Sequence, residues 1–269
     1  MMLLISSTVN AISYNDKPQT SSNDFTHTVF AEECTASWCP SCPIGAEALD
    51  SVYQSGDYPF YYVSLVGDMN PIAKNRNRDY SFGIFKIYAY PTVYFDGGNT
   101  NFIGHKSTVE ETETEYRALI EEEGQRIPKQ PITIESNVTW EGNATITVTI
   151  SITNEGNFLY FGKLRSYVTE IVSRWNDHSG NPYHYALLDY AINKIVLLMP
   201  GKTKELKGTF DGTKIHGNQT YEDITSDNIM VISAIFHWIP HFRRGYQGNG
   251  YRQRYFAFFA DQATAAAPI

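Results

Sequence analysis

Two cysteines separated by two residues, Cys39-Pro-Ser-Cys42, are the most reactive grouping in this 269-residue sequence. A thiol pair at this spacing can open and close as a disulfide, supply half of a metal clamp, or act as a fixed staple. A structural zinc site takes four ligands, and no second Cys-x-x-Cys or Cys-x-x-His pair completes one here. The third cysteine, Cys34, sits too close along an extended segment to help, and it reads as a small buried hydrophobe. An inert disulfide stays open as an alternative to thiol–disulfide exchange.

The surrounding elements decide how the pair would be presented. "THTVFAEECT" (26–35) reads as a strand that runs into the cysteines. A helix follows, with Ile44, Ala48 and Val52 on one face and Gly56 as its stop signal. A cysteine at a helix start faces unpaired N–H groups and the positive end of the dipole, which favour a thiolate. A second cysteine one turn on can attack a mixed disulfide held by the first. Pro43 removes an N–H just after the pair, so the first turn is expected to be loosened or to start late. "FYYVSLV" (60–66) is a continuous apolar run, as in a strand covered on both faces. A polar stretch with helical potential spans 67–90, and "PTVYFDGGNTNFIGH" (91–105) reads as two strands about an Asp-Gly-Gly turn. A last helix is signalled by a Ser107/Glu110 capping box, by Val109, Tyr116 and Ile120 on one face, and by Gly124. The order β-α-β-α-β-β-α with Cys-x-x-Cys between strand and helix is the thioredoxin-like redox pattern.

The period changes at Ile127-Pro128. "ITIESNV" and "ATITVTISIT" alternate at every second residue and flank a "TWEGN" turn, and further strand-like runs continue through "YFAFFA". The predicted fold class is an α/β thioredoxin-like domain (25–128) followed by an all-β sandwich domain (129–262), with a tail at 263–269. Residues 1–24 read as a signal-peptide remnant and linker, from the apolar start "MMLLI" and the small residues of Val9-Asn10-Ala11. The Gln125–Gln130 stretch is the predicted point of separation between the domains.

Several positions beyond the cysteines resemble the thioredoxin superfamily over roughly 26–124. "CTASWCPSC" is similar to its strand-to-active-site segment, with Trp38 just before Cys39. "FGIFKIYAYPT" resembles its Tyr-Gly-Ile…Pro-Thr stretch, and "TVYFDGG" followed by Gly104 resembles its last hairpin. The two-domain layout with "WCPSCP" resembles the exported family named after a 28-kilodalton outer-membrane protein. The resemblance implies that Glu33 is a buried acid with a raised pKa that serves Cys42. It also implies that Pro91 is a cis-proline facing the cysteines, and that Tyr90, Pro91 and Trp38 hold a substrate segment. Pro-Ser replaces the thioredoxin Gly-Pro between the cysteines, so the redox direction is not implied.

The functional expectation is an extracytoplasmic thiol–disulfide oxidoreductase, with Cys39, Cys42 and Glu33 catalytic and Trp38, Tyr90 and Pro91 binding substrate. It needs no cofactor beyond the cysteine pair and no metal. Its partners would be protein thiols or disulfides and an unidentified electron donor or acceptor protein. A net charge of -8 argues against a general nucleic-acid binder. No apolar stretch reaches the ~18 residues of a membrane span. The alternative is a surface binding or adhesion protein whose β-sandwich does the work. His237 and His241 in "HWIPH" have ligand spacing only if helical, which Pro240 opposes. "RRGYQGNGYRQR" (243–254) reads as a hairpin loop with some potential for binding.

Overall fold

The computed structural model describes residues 25–81, 89–246 and 252–269; the predicted signal-peptide remnant, the 82–88 part of the "FGIFKIYAYPT" segment and the centre of the basic loop lie outside them. The fold is mixed α/β, with one large sheet and few helices.

The first half follows the expected order: β1 (Val29–Thr35), α1 (Cys42–Ser55), β2 (Phe60–Val66), α2 (Pro71–Asp79), β3 (Thr92–Phe95), β4 (Thr100–Ile103) and α3 (Val109–Gly124). β1 pairs in parallel with β2 and antiparallel with β3, and all seven of its residues are buried. It is covered on both faces, yet it carries Glu32, Glu33 and Thr35 among its apolar residues, so each of these polar groups is buried. In α1, Ala48 and Val52 enter the core, and Gly56 ends the helix with a left-handed φ of 68°, a region glycine enters without steric cost. The N-cap of α3 is Thr108, whose side chain accepts from Glu111 N, while Ser107 N donates to Glu111 Oε2. The cap is thus one residue later than Ser107/Glu110, because Thr108 is the residue that takes the extended backbone a cap requires, and Glu111 reaches back past it to the N–H of Ser107.

The second half is all strand apart from one short 3-10 turn at Ser226–Asn228 among the described residues. Its strands are β5 (Ile132–Gly142), β6 (Thr145–Asn154), β7 (Tyr160–Asn176), β8 (Pro182–Leu198), β9 (Thr203–Asp211), β10 (Ile229–His237), β11 (His241–Tyr246), β12 (Arg252–Ala257) and β13 (Ala260–Ala266). The three-stranded sheet β5-β6-β9 lays Ile134, Ile146, Val148, Ile150 and Ile152 against Leu164, Val168, Val196 and Val231 of a facing sheet. That facing sheet does not stop at a domain edge. It continues through β8 into β2, by the parallel pairing Ser64↔Ala186, giving the single order β13-β10-β7-β8-β2-β1-β3-β4.

Two expectations are corrected by this continuity. The stretch Gln125–Gln130 does link α3 to β5, but the halves do not have wholly separate cores: Tyr167, Tyr185, Leu187, Met230 and Phe236 share one with Phe30, Tyr62 and Tyr94. The tail is not a tail: residues 263–266 belong to β13, paired with β10, and Ile269 exchanges backbone hydrogen bonds with Val138 and Trp140. "ADQATAA" lacks the apolar alternation that marks a strand, so neighbours rather than its own pattern place it.

A buried ion pair fastens the halves together. Glu32 on β1 accepts from Arg76 of α2 through both carboxylate oxygens and from the hydroxyls of Tyr80 and Tyr167. Both charged side chains are almost fully buried, and Tyr167 belongs to β7 of the second half.

Candidate active site around the cysteine pair

The chain leaves β1 at Ala36 and is held there from two sides. Tyr183 of β8 donates its hydroxyl to Ala36 O at 3.1 Å and lies 3.0 Å from Thr35 Oγ1. Asp68, just past β2, accepts from Ser37 N at 3.0 Å and from the Ser37 hydroxyl. Two tight turns follow, closed by Cys39 N to Ala36 O and Cys42 N to Cys39 O.

Helix α1 starts at Cys42, so Cys39 lies ahead of the helix rather than in its first turn. Pro43 falls among the first helical positions, where a missing N–H costs nothing; the late start anticipated from Pro43 is a start at Cys42. No side chain caps this end. The open N–H groups and the positive end of the dipole are therefore left to the turn that carries Cys39.

Cys39 and Cys42 are joined as a disulfide with Cα atoms 5.4 Å apart. Cys39 keeps 3% of its surface exposed and Cys42 none. Cys39 Sγ lies 3.5 Å from the carbonyl oxygen of Tyr90, whose bond to Pro91 is cis. Trp38 is 62% exposed and meets the Tyr90 ring edge to face at 6.1 Å. Behind the pair, Gly45 of α1 packs against Pro91: a Cβ at this position would stand 2.9 Å from Pro91 Cγ, so only glycine allows the helix this close. The structure thus brings Trp38, Cys39, Cys42, Tyr90 and Pro91 together.

Glu33 lies on β1 and is fully buried. Ser64 of β2 donates to its Oε2 at 2.9 Å, while Oε1 has no hydrogen-bond partner. Burial pushes its carboxyl up to about 8; the Ser64 hydrogen bond pulls down, and the charge of Asp177 in the β7–β8 turn adds to the rise. No hydrogen bond ties this carboxyl to either sulfur in the disulfide form. Burial also pushes the Cys34 thiol well up, with Glu32 adding to it, so Cys34 stays a neutral core residue.

Tyr183, Asp68 and Asp177 were not anticipated by the sequence. Two of them lie more than a hundred residues from the cysteines, and nothing in their local pattern separates them from other turn and strand residues. Asp68 follows the buried strand directly, which is the one signal available. Among the described residues no group of three or more His, Cys, Asp or Glu is placed to hold a metal.

Once reduced, the pair is expected to alkylate in a fixed order. Cys39 is the more exposed thiol and the one ahead of the helix, so iodoacetamide at mildly acid pH should modify it first. Peptide mapping that finds Cys42 labelled first would reverse the assignment of nucleophile and resolving thiol.

No protein-family model matches this chain, and neither does any curated protein. Among solved structures, HBP35 of Porphyromonas gingivalis superposes with a TM-score of 0.60 at 12% identity, covering 91% of this chain and 76% of that one. A protein of Agrobacterium tumefaciens gives a TM-score of 0.46 at 14% identity, over 90% of this chain and 95% of that one. A domain of the outer membrane lipoprotein Omp28 from Porphyromonas gingivalis gives 0.28 at 12% identity, over 53% of this chain and 92% of that domain. The first of these establishes likeness of fold and, at such identity, nothing beyond it.

Proposed function

We propose that this protein is an extracytoplasmic thiol–disulfide oxidoreductase, built from a thioredoxin-like unit joined to a β-sandwich, acting on cysteines of other proteins. The observation that carries the reading is the Cys39–Cys42 pair at the uncapped N-terminus of α1, with the Tyr90 carbonyl 3.5 Å from Cys39 Sγ. In the reducing direction the Cys39 thiolate attacks one sulfur of a substrate disulfide. An S–S bond forms to Cys39, and the other substrate sulfur leaves as a thiolate. Cys42 then loses its proton, with Glu33 as the acceptor, and attacks Cys39 Sγ. The substrate departs as a dithiol, and two electrons have moved from the cysteine pair to it. The opposite order oxidises a dithiol. Another protein must return or remove the electrons, and the pair itself is the only redox group required.

Tyr90, Pro91 and Trp38 would receive the substrate segment, with the exposed Trp38 ring as an apolar contact beside Cys39. The apolar residues near the start of the chain, read as a signal-peptide remnant, are what supports an extracytoplasmic location. Among the described residues no helix is long and apolar enough to cross a membrane.

A second reading, a binding protein that works through its β-rich half, is favoured by one feature. Phe161 of β7 and Ile195 and Leu197 of β8 are exposed, as is Met199 in the turn beyond β8; Phe161 pairs directly with Leu197. The deciding experiment is insulin reduction in the presence of dithiothreitol. The oxidoreductase reading expects turnover that disappears in Cys39→Ser; no turnover above background, in either direction of exchange, would leave the binding reading in its place.

A further inference from the structure

The turn between β10 and β11 brings two imidazoles nitrogen to nitrogen, with their ring planes 81° apart. His237 ends β10, His241 begins β11, and Trp238-Ile239-Pro240 joins them so tightly that their Nε2 atoms are 2.9 Å apart. A helix is therefore not needed to make this four-residue spacing useful. In the large sheet β10 is four strands from β1, roughly 19 Å at the usual strand spacing, so the pair is remote from the cysteines.

Three features fix the geometry. His237 Nδ1 lies 3.1 Å from both carboxylate oxygens of Asp261, which also accepts from Tyr160 OH and Lys129 N. That carboxylate holds the proton on Nδ1 and leaves a lone pair on His237 Nε2, the arrangement that orients histidine toward a metal. The His241 ring is stacked on Phe259 with centroids 4.0 Å apart, and His237 meets the same ring edge-on at 5.5 Å. His237 is 4% exposed and His241 is half-buried, so one imidazole is anchored in the core and the site opens to solvent over the other.

Without a metal, one Nε2 must donate to the other, and with Asp261 on His237 the donor is His241. Moving that proton to His241 Nδ1 frees both Nε2 lone pairs; with ring centroids 5.1 Å apart they face one another almost head-on, so the partly exposed His241 ring must swing for both to reach one tetrahedral metal, whose bonds lie about 35° off the N···N line. Two imidazole nitrogens of a tetrahedral zinc are ~3.3 Å apart for bonds of about 2.0–2.1 Å, only a few tenths wider than the pair already is. We propose that His237 and His241 chelate a late first-row divalent cation, Zn²⁺ or Cu²⁺, through their Nε2 atoms, with water completing the coordination. Hard cations are excluded by the donor set, because Mg²⁺ and Ca²⁺ require oxygen ligands. Lys129, Arg126 and Arg243 lie nearby, and Asp261 and Asp96 offset them only in part, so binding is of moderate strength.

The test uses the full chain with Cys39–Cys42 oxidised, so that no thiolate competes for metal. Calorimetric titration with Zn²⁺ is expected to show one site, weakened about tenfold or more in His241→Asn and unchanged in His105→Asn. His241 is partly exposed, so its replacement leaves the core in place. The electron paramagnetic resonance spectrum of the Cu²⁺ form is expected to show two equivalent imidazole nitrogens in the wild type and one in His241→Asn. Asp261→Asn is expected to weaken binding about 10–100-fold without changing the number of coordinated nitrogens. An unaltered titration in His241→Asn, or a wild-type Cu²⁺ spectrum with a single nitrogen, would overturn the proposal.

Discussion

Glu33→Gln is expected to make the protein more stable at alkaline pH while leaving it little changed in acid. The native carboxyl titrates at about 8, whereas in the unfolded chain it returns to its ordinary 4.5. Below 4.5 both states hold the proton and the residue contributes no pH dependence. Between 4.5 and 8 the unfolded state releases its proton and the native state does not, so wild-type stability falls as pH rises. Above 8 the native state carries a buried carboxylate, and the loss is complete. The side-chain amide of the variant has no proton to lose, so its stability should overtake the wild type by about 4 kcal/mol between pH ~5 and ~8.5. Urea unfolding across that range is the measurement, with midpoints compared at equal slopes. Curves that run parallel over the whole range would mean that Glu33 reaches water and is not the buried acid described above. On its proposed role, the same substitution should also remove an inflection near pH 8 from the turnover profile, since an amide cannot take the Cys42 proton.

Arg76→Ala is expected to cost about 3–5 kcal/mol, enough to unfold a marginal protein, because it strands Glu32 without its counter-charge. The carboxylate would keep the Tyr80 and Tyr167 hydroxyls but lose two charge-assisted hydrogen bonds. Asp79, which bridges Arg76 and Arg165 at the rim, is half exposed and contributes less. The informative control is the double variant Glu32→Leu with Arg76→Met, which removes both charges and should recover most of the loss. If the double variant is as unstable as the single one, the cost does not come from stranding Glu32, since neither charge remains and Met restores most of the Arg76 stem. The pair also bears on the division of the chain. A 25–128 fragment lacks Tyr167 and Arg165, and it would expose the β2 edge that Ser64 and Ala186 join. The interdependence of the halves is thus an energetic matter as well as one of topology.

The elements around the cysteines were legible because short-range patterns specify them. The apolar run Phe60–Val66, the Ala48 and Val52 positions and the Gly56 stop each declare an element within a few residues and stand where the pattern placed them; Ile44 is only partly buried, and Leu49 and Tyr53 complete the buried face instead. The α3 cap was off by one because Ser107 and Thr108 are chemically equivalent caps and only the backbone chooses between them. The join between β2 and β8 was not legible at all. It is a backbone pairing at one register position, 122 residues apart, and neither Ser64 nor Ala186 has a side chain that announces it. For the same reason Tyr183 could not be assigned to the loop before Cys39. It looks like any aromatic strand residue until β8 is laid beside β2. The β13 strand was missed because its small residues are chosen to fit beside β10, not to alternate. Ligand spacing for the two histidines is expected only on a helix, yet a three-residue turn brings their Nε2 atoms together instead.

The most direct test of the central claim is a trap. Cys42→Ser keeps the Cys39 thiolate able to attack but removes the thiol that resolves the mixed disulfide, so adducts that normally decay should persist. The full-length variant, expressed in its native envelope and quenched with acid and alkylating agent, would be run on non-reducing gels beside the wild type, Cys39→Ser and the double variant. The account predicts a discrete set of higher-mass adducts in Cys42→Ser alone, joined through Cys39 by mass spectrometry and released by reductant. Absence of such adducts under both oxidising and reducing growth, with the variant folded and Cys39 alkylatable, would contradict it.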